Sequence, residues 1–183
     1  LAIATQEPPK GMRLWAFGFP HDLGLSIIEG THNGMIEDSV YEKLHFTASV
    51  NPGMSGGPVL ERGGRVVGIN VASSGNQVSF LVPSSALTRL VTNTDRHGAA
   101  DLLDQVRRQM LESQDEFIGG MLAQPLPTVD FGDFEVPSEP SPSCRCWADA
   151  PLVQDRPYQS ATHHCSTQDW VYLSDGHWAG IFS

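Results

Sequence analysis

Between Leu1 and Thr92 every apolar run is short, and Gly, Pro or Asn interrupts each one before it reaches the length of a helix. Such punctuation leaves strands as the regular element this part of the chain can form, because strands need only ~4–8 residues between turn signals. The runs fall at residues 13–18, 26–29, 34–36, 44–48, 58–60, 65–72 and 78–82. Gly30-Thr31-His32-Asn33 reads as the turn inside one strand pair, and Arg62-Gly63-Gly64-Arg65 as another turn. Short strands with turn chemistry between them predict a mainly β fold built on a small sandwich or barrel.

The pattern changes after Pro83. Ser84 or Ser85 can cap a short helix through Val91, since its hydroxyl accepts a hydrogen bond from an orphan amide. Leu103, Val106, Met110 and Phe117 then recur at helical spacing and predict a helix over residues 99–117. It reads either as a docking helix or as a surface helix packed on the barrel. Pro125, Pro127, Pro137, Pro140 and Pro142, with Ser and acidic residues between them, read as a linker. Near the end, residues 170–173 and 177–181 flank Ser174-Asp175-Gly176, a hairpin signal because Asp-Gly supplies positive φ. The expected organisation is a barrel at 1–92, a helical extension at 93–123, a linker at 124–143 and a small Cys/Trp module at 144–183.

One motif carries chemistry: Asn51-Pro52-Gly53-Met54-Ser55-Gly56-Gly57-Pro58-Val59. At ordinary residue frequencies G-x-S-G-G-P arises by chance at about one position in a million. An acyl-transfer site needs backbone amides aimed at the oxyanion of a tetrahedral intermediate. Turning the amides of Gly53 and Ser55 toward one point requires backbone angles that a Cβ obstructs. Gly56 and Gly57 keep bulk away from an attacking Ser55 hydroxyl. The nucleophile elbow of α/β-hydrolases also fits G-x-S-x-G, but it lies between a strand and a helix. Here Gly-Gly-Pro-Val-Leu follows the serine, which opposes a helix and favours a strand.

With these residues in order, the first 92 residues resemble the trypsin-like serine peptidases, closest to the disulfide-free high-temperature-requirement branch. The segments carrying the resemblance are residues 13–24, 26–36, 51–59, Val66-Val-Gly-Ile-Asn70 and Phe80-Leu-Val-Pro-Ser84. The resemblance implies the second six-stranded barrel of a chymotrypsin-like double β-barrel, followed by helices and a small C-terminal hairpin segment. It implies Ser55 as nucleophile, the Gly53 and Ser55 amides as oxyanion donors, and a polypeptide substrate. It also implies a triad in the order His, Asp, Ser, with the Asp opening a strand of form D-[LI]-A-[LVI]. Leu1-Ala2-Ile3-Ala4 matches the end of that form, so the Asp is expected immediately upstream of Leu1 and the His before it. None of His21, His32, His45, His97, His163, His164 or His177 matches the base by position, so these 183 residues alone are expected to be inactive. The specificity pocket is expected from Ser49, Val50, Val71, Ala72 and Ser73. With no carboxylate at its base it should favour a small or medium apolar side chain, and Val71–Ser73 can pair with substrate backbone.

Composition excludes some partners. A net charge of −10 without a Lys/Arg stripe opposes nucleic-acid binding, and no apolar run approaches the ~20 residues of a membrane span. No cofactor is expected. The opening residues do not read as a signal peptide, and the chain does not start with Met. Cys144-x-Cys146 and His163-His164-Cys165 have soft-metal ligand types, but C-x-C is tighter than the usual C-x₂₋₄-C. Unpaired or disulfide-linked cysteines are therefore expected, with no metal. Nothing in the tail resembles a carboxylate-binding PDZ loop. The alternatives to a serine endopeptidase are a catalytically dead protease-like binding or scaffold protein and a self-processing viral polyprotein protease.

Overall fold

The computed structural model describes residues 1–92, 102–151, 158–167, 169–174 and 177–179. It divides into two compact units, one of residues 1–36 and 42–96, the other of residues 37–41 and 97–183.

The first unit is a barrel. Its strands are β1 (Ala2–Ile3), β2 (Arg13–Gly18), β3 (Ser26–Met35), β4 (Leu44–Thr47), β5 (Pro58–Leu60), β6 (Arg65–Ser73) and β7 (Val78–Pro83). They hydrogen-bond in the order β1-β6-β5-β2-β3-β4-β7, and β7 also pairs with β6, which closes β2 to β7 into a six-stranded barrel. Closure removes the edge strands that an open sheet would expose. The short β1 adds to β6 in parallel, with Ala2 opposite Arg65.

Alternation along the strands decides what fills the barrel. Leu14 and Ala16 of β2, Leu44 and Phe46 of β4 and Leu81 of β7 point inward and are fully buried. They form one core with Ala48, Val50, Met54, Val59 and Val67. Val66 and Val67 are buried as core residues, and Ile69 is half-buried. After β7 the chain turns directly into helix α1 (Ser84–Thr92), in agreement with the expected short helix. It packs on β6, β7 and β1.

One expected turn is absent. Residues 26–36 were expected as two strands around Gly30-Thr31-His32-Asn33, yet β3 runs unbroken through all four. Gly30 is there for close approach rather than for turning. A Cβ at Gly30 would lie 2.4 Å from the Thr47 carbonyl oxygen and 2.7 Å from the Ala48 Cβ.

In the second unit α2 (Leu102–Leu122) covers the predicted helix, shifted toward the C-terminus; residues 99–101 lie outside the described residues. The Pro-rich stretch expected as a linker contains a hairpin, β8 (Thr128–Phe131) and β9 (Phe134–Pro137), around Gly132. Its prolines sit outside the strands or at a strand end, where no ladder bond is lost. A second antiparallel ribbon pairs β10 (Cys144–Asp149) with β11 (Thr162–Thr167). The expected terminal hairpin is present as β12 (Val171–Ser174) and β13 (His177–Ala179), and its Asp175-Gly176 turn lies outside the described residues. Residues 37–41 join this unit through bonds of Ser39 Oγ and the Val40 amide to Asp169, at 2.6 and 3.0 Å. Arg145 is paired with Asp38, which raises the guanidinium pKa further.

Candidate active site

Ser55 lies on the loop between β4 and β5, and its side chain is exposed while the preceding Met54 is fully buried in the barrel. The loop is therefore anchored from within and presents the serine outward. Its backbone is tied at several points. Phe19 N–H donates to the Gly53 carbonyl at 3.3 Å, Met54 N–H to Asn51 at 3.1 Å and Gly57 N–H to Met54 at 3.1 Å. Beyond the serine, Gly56 N–H donates to the Asn70 carbonyl at 2.7 Å, and Asn70 N–H donates to the Gly57 carbonyl at 3.0 Å.

Gly53 has φ +96°, a left-handed conformation, and a Cβ there would lie 2.4 Å from the Phe19 carbonyl oxygen. The sequence calls for glycine at this position on both grounds. Among the described residues, the amides of Gly53 and Ser55 have no hydrogen-bond partner. Amides left open beside an exposed hydroxyl are the groups that stabilisation of an oxyanion requires.

Of the residues expected in the specificity pocket, Val50 is buried within the barrel core and Ser49 is exposed beside it. Val71, Ala72 and Ser73 form the exposed end of β6. There β6 pairs with β7, Ala72 opposite Phe80 and Ser73 opposite Ser79, whereas its pairing with β5 ends at Ile69. One edge of this segment is thus open among the described residues. Two surface clefts, one bordered by Trp15 and Arg62 and the other by Glu7 and Ser85, contain none of these five residues.

Among the described residues, no histidine or carboxylate hydrogen-bonds the Ser55 hydroxyl. His32 is fully buried, with Nδ1 3.4 Å from the Pro9 carbonyl and Nε2 3.3 Å from Glu7. His21 is exposed at φ +50°, His45 pairs across to Phe80, and His163, His164 and His177 belong to the second unit. His97 lies outside the described residues.

Asn70 was not singled out by the sequence. Its side chain is 1% exposed, and neither its amide nitrogen nor its oxygen has a hydrogen-bond partner among the described residues. Buried polar atoms are nearly always satisfied. The available signal was a lone carboxamide ending the apolar run Val66-Val-Gly-Ile.

Comparison with known proteins gives this geometry its context. The model of the trypsin-like peptidase domain family matches residues 1–69, a span that includes the whole serine loop. A probable periplasmic serine endoprotease, DegP-like, of Marinomonas sp. is 29% identical over 124 residues, covering 61% of this chain and 26% of that protein. The serine protease Do-like HtrB of Bacillus subtilis is 34% identical over 88 residues, covering 46% and 19%. Over residues 1–69 the chain is similar to the trypsin-like serine peptidases, and the relatives it matches are of the HtrA type. It spans about a quarter or less of the length of these two relatives. The crystal structure of the serine endoprotease from Yersinia pestis superposes with a TM-score of 0.46 at 26% identity, covering 50% of this chain and 34% of that one. The family match ends at Ile69, one residue before Asn70 and two before the open end of β6.

Proposed function

We propose that the chain carries the nucleophile side of a serine endopeptidase. Ser55 Oγ attacks the scissile carbonyl, the Gly53 and Ser55 amides hold the oxyanion, and the amine departs to leave an acyl-enzyme that water hydrolyses. The observation that carries this reading is the exposed serine on a loop pinned on both sides, with those two amides unpaired among the described residues. The base and the carboxylate that orients it are assigned to residues outside these 183, because no described His or carboxylate bonds Ser55 and the family's triad runs His, Asp, Ser. Ser49, Val50 and Val71–Ser73 are assigned to substrate, with Val71–Ser73 pairing to its backbone as an added strand does. The HtrA-type relatives are named serine proteases, which supports a polypeptide substrate.

The test uses the complete gene product, labelled with a fluorophosphonate and assayed on a peptide library. Labelling should map to Ser55, and Ser55→Ala should lose labelling and lower peptide hydrolysis by roughly 10⁴-fold or more. Cleavage should follow small or medium apolar side chains. A complete protein that neither labels nor cleaves would favour the binding or scaffold reading instead, and cleavage after Arg or Lys would overturn the pocket assignment.

A further inference from the structure

The C-x-C and H-H-C patterns fail as metal motifs along the chain, but the ribbon register rearranges them. Cys144, Cys146 and Ala148 alternate along β10 and stand opposite Thr167, Cys165 and His163 of β11. Directly opposed residues share a face, so all three cysteines and His163 lie on one side of the ribbon. Burial follows the faces except at two positions: Cys144, Cys165 and Thr167 are buried, Cys146 and His163 half-buried and Ala148 exposed on one face, while Arg145, Trp147, Asp149, Thr162 and His164 are exposed and Ser166 half-buried on the other. Cys146 and Cys165 are joined by a disulfide. The ligand atoms of Cys146, His163 and Cys165 lie within 4.8 Å of one another, and His163 Nδ1 is 3.9 Å from Cys165 Sγ.

We infer that, once this disulfide is reduced, Cys146, Cys165 and His163 form a site for a soft divalent cation such as Zn²⁺. Zinc–sulfur and zinc–nitrogen bonds of about 2.3 and 2.0–2.1 Å at a tetrahedral centre place S and N about 3.6 Å apart and two sulfurs about 3.8 Å apart. The Cys165–His163 pair is within a few tenths of an ångström of that spacing. The sulfurs reach theirs by side-chain rotation after the S–S bond is broken. The ring of Phe131 packs 5.9 Å from that of His163 and helps hold the imidazole in place. Cys144 is outside the cluster, so the site has three protein ligands and an open fourth position. Reduction takes two electrons and two protons from a dithiol, which becomes a disulfide as Cys146 and Cys165 become thiols. Cation binding then displaces the two thiol protons, which makes disulfide and metal mutually exclusive.

The 183-residue chain, reduced with a phosphine and titrated anaerobically with Co²⁺, tests this. The reduced chain should bind one Co²⁺, with the thiolate-to-cobalt charge-transfer band and the visible bands of a tetrahedral site, and Zn²⁺ should displace it. The oxidised chain should show neither band. His163→Ala leaves the disulfide able to form and should weaken binding at least roughly 10-fold, whereas Cys144→Ser should leave it unchanged. Absence of stoichiometric Co²⁺ binding after reduction would overturn the proposal. So would equal binding by the oxidised chain, or dependence on Cys144 rather than on His163.

Discussion

At Gly57 an added Cβ would lie 1.9 Å from the Phe17 carbonyl oxygen and 3.0 Å from that of Met54. Both obstacles are backbone, so neither can swing aside. Gly56, one residue earlier, has open space around its missing Cβ but φ +82°. The two glycines should therefore respond differently to alanine. Gly56→Ala should cost about 1 kcal/mol, the penalty of a left-handed conformation. Gly57→Ala should cost about 1–3 kcal/mol or more, because strand β2 and the loop must separate. Urea unfolding of the two variants measures the difference, and equal losses would contradict the steric account. Cys144 offers a pH test. Burial first, and Glu139 second, raise its thiol pKa above 9.0, so the neutral thiol is favoured in the fold. Alkylation of Cys144 should stay slow through neutral pH and accelerate only above the range of an exposed thiol. Stability from the neutral buried thiol should be full below about pH 9 and decline as pH rises further.

Among the elements, β6 joins core and site. Its first half pairs with β1 and β5 and buries Val66 and Val67, while its last three residues are exposed. Asn70 stands at the change, its backbone bonded to Gly56 and Gly57 and its carboxamide buried without a partner among the described residues. Replacing the side chain by an apolar one of the same branched shape removes two groups unsatisfied among the described residues and no side-chain hydrogen bond. Asn70→Leu should thus leave the stability of this chain unchanged or raise it by about 1 kcal/mol. Phe46→Ala, in contrast, empties the middle of the core and should cost about 3–5 kcal/mol. Both are read from denaturant midpoints, and a strongly destabilised Asn70→Leu would show that the carboxamide has a structural partner.

For the whole molecule, the two units differ in what holds them. The barrel has a contiguous apolar core and no cysteine, whereas the second unit contains the Cys146–Cys165 disulfide. A cross-link spanning 19 residues stabilises by about 3 kcal/mol through the unfolded chain. Reduction without metal should therefore increase amide exchange in residues 144–149 and 162–167 and leave the core strands β2, β4 and β7 unchanged. Hydrogen exchange with peptide-level readout resolves the two. Faster exchange in the barrel strands as well would mean that the units are not independent.

Strand positions, the serine loop and the helix after Pro83 were legible in the sequence, because turn residues, period-two alternation and glycine demands act over a few neighbours. The Gly30 turn was misread because glycine marks a close approach as readily as a bend, and only the carbonyl of Thr47 distinguishes the two. The hairpin among the prolines was hidden for a related reason: proline opposes a strand only where its missing N–H is needed. Asn70, the open end of β6 and the face shared by Cys146, Cys165 and His163 depend on which strands lie side by side. Barrel closure and ribbon register decide those, because they join residues that no local spacing relates.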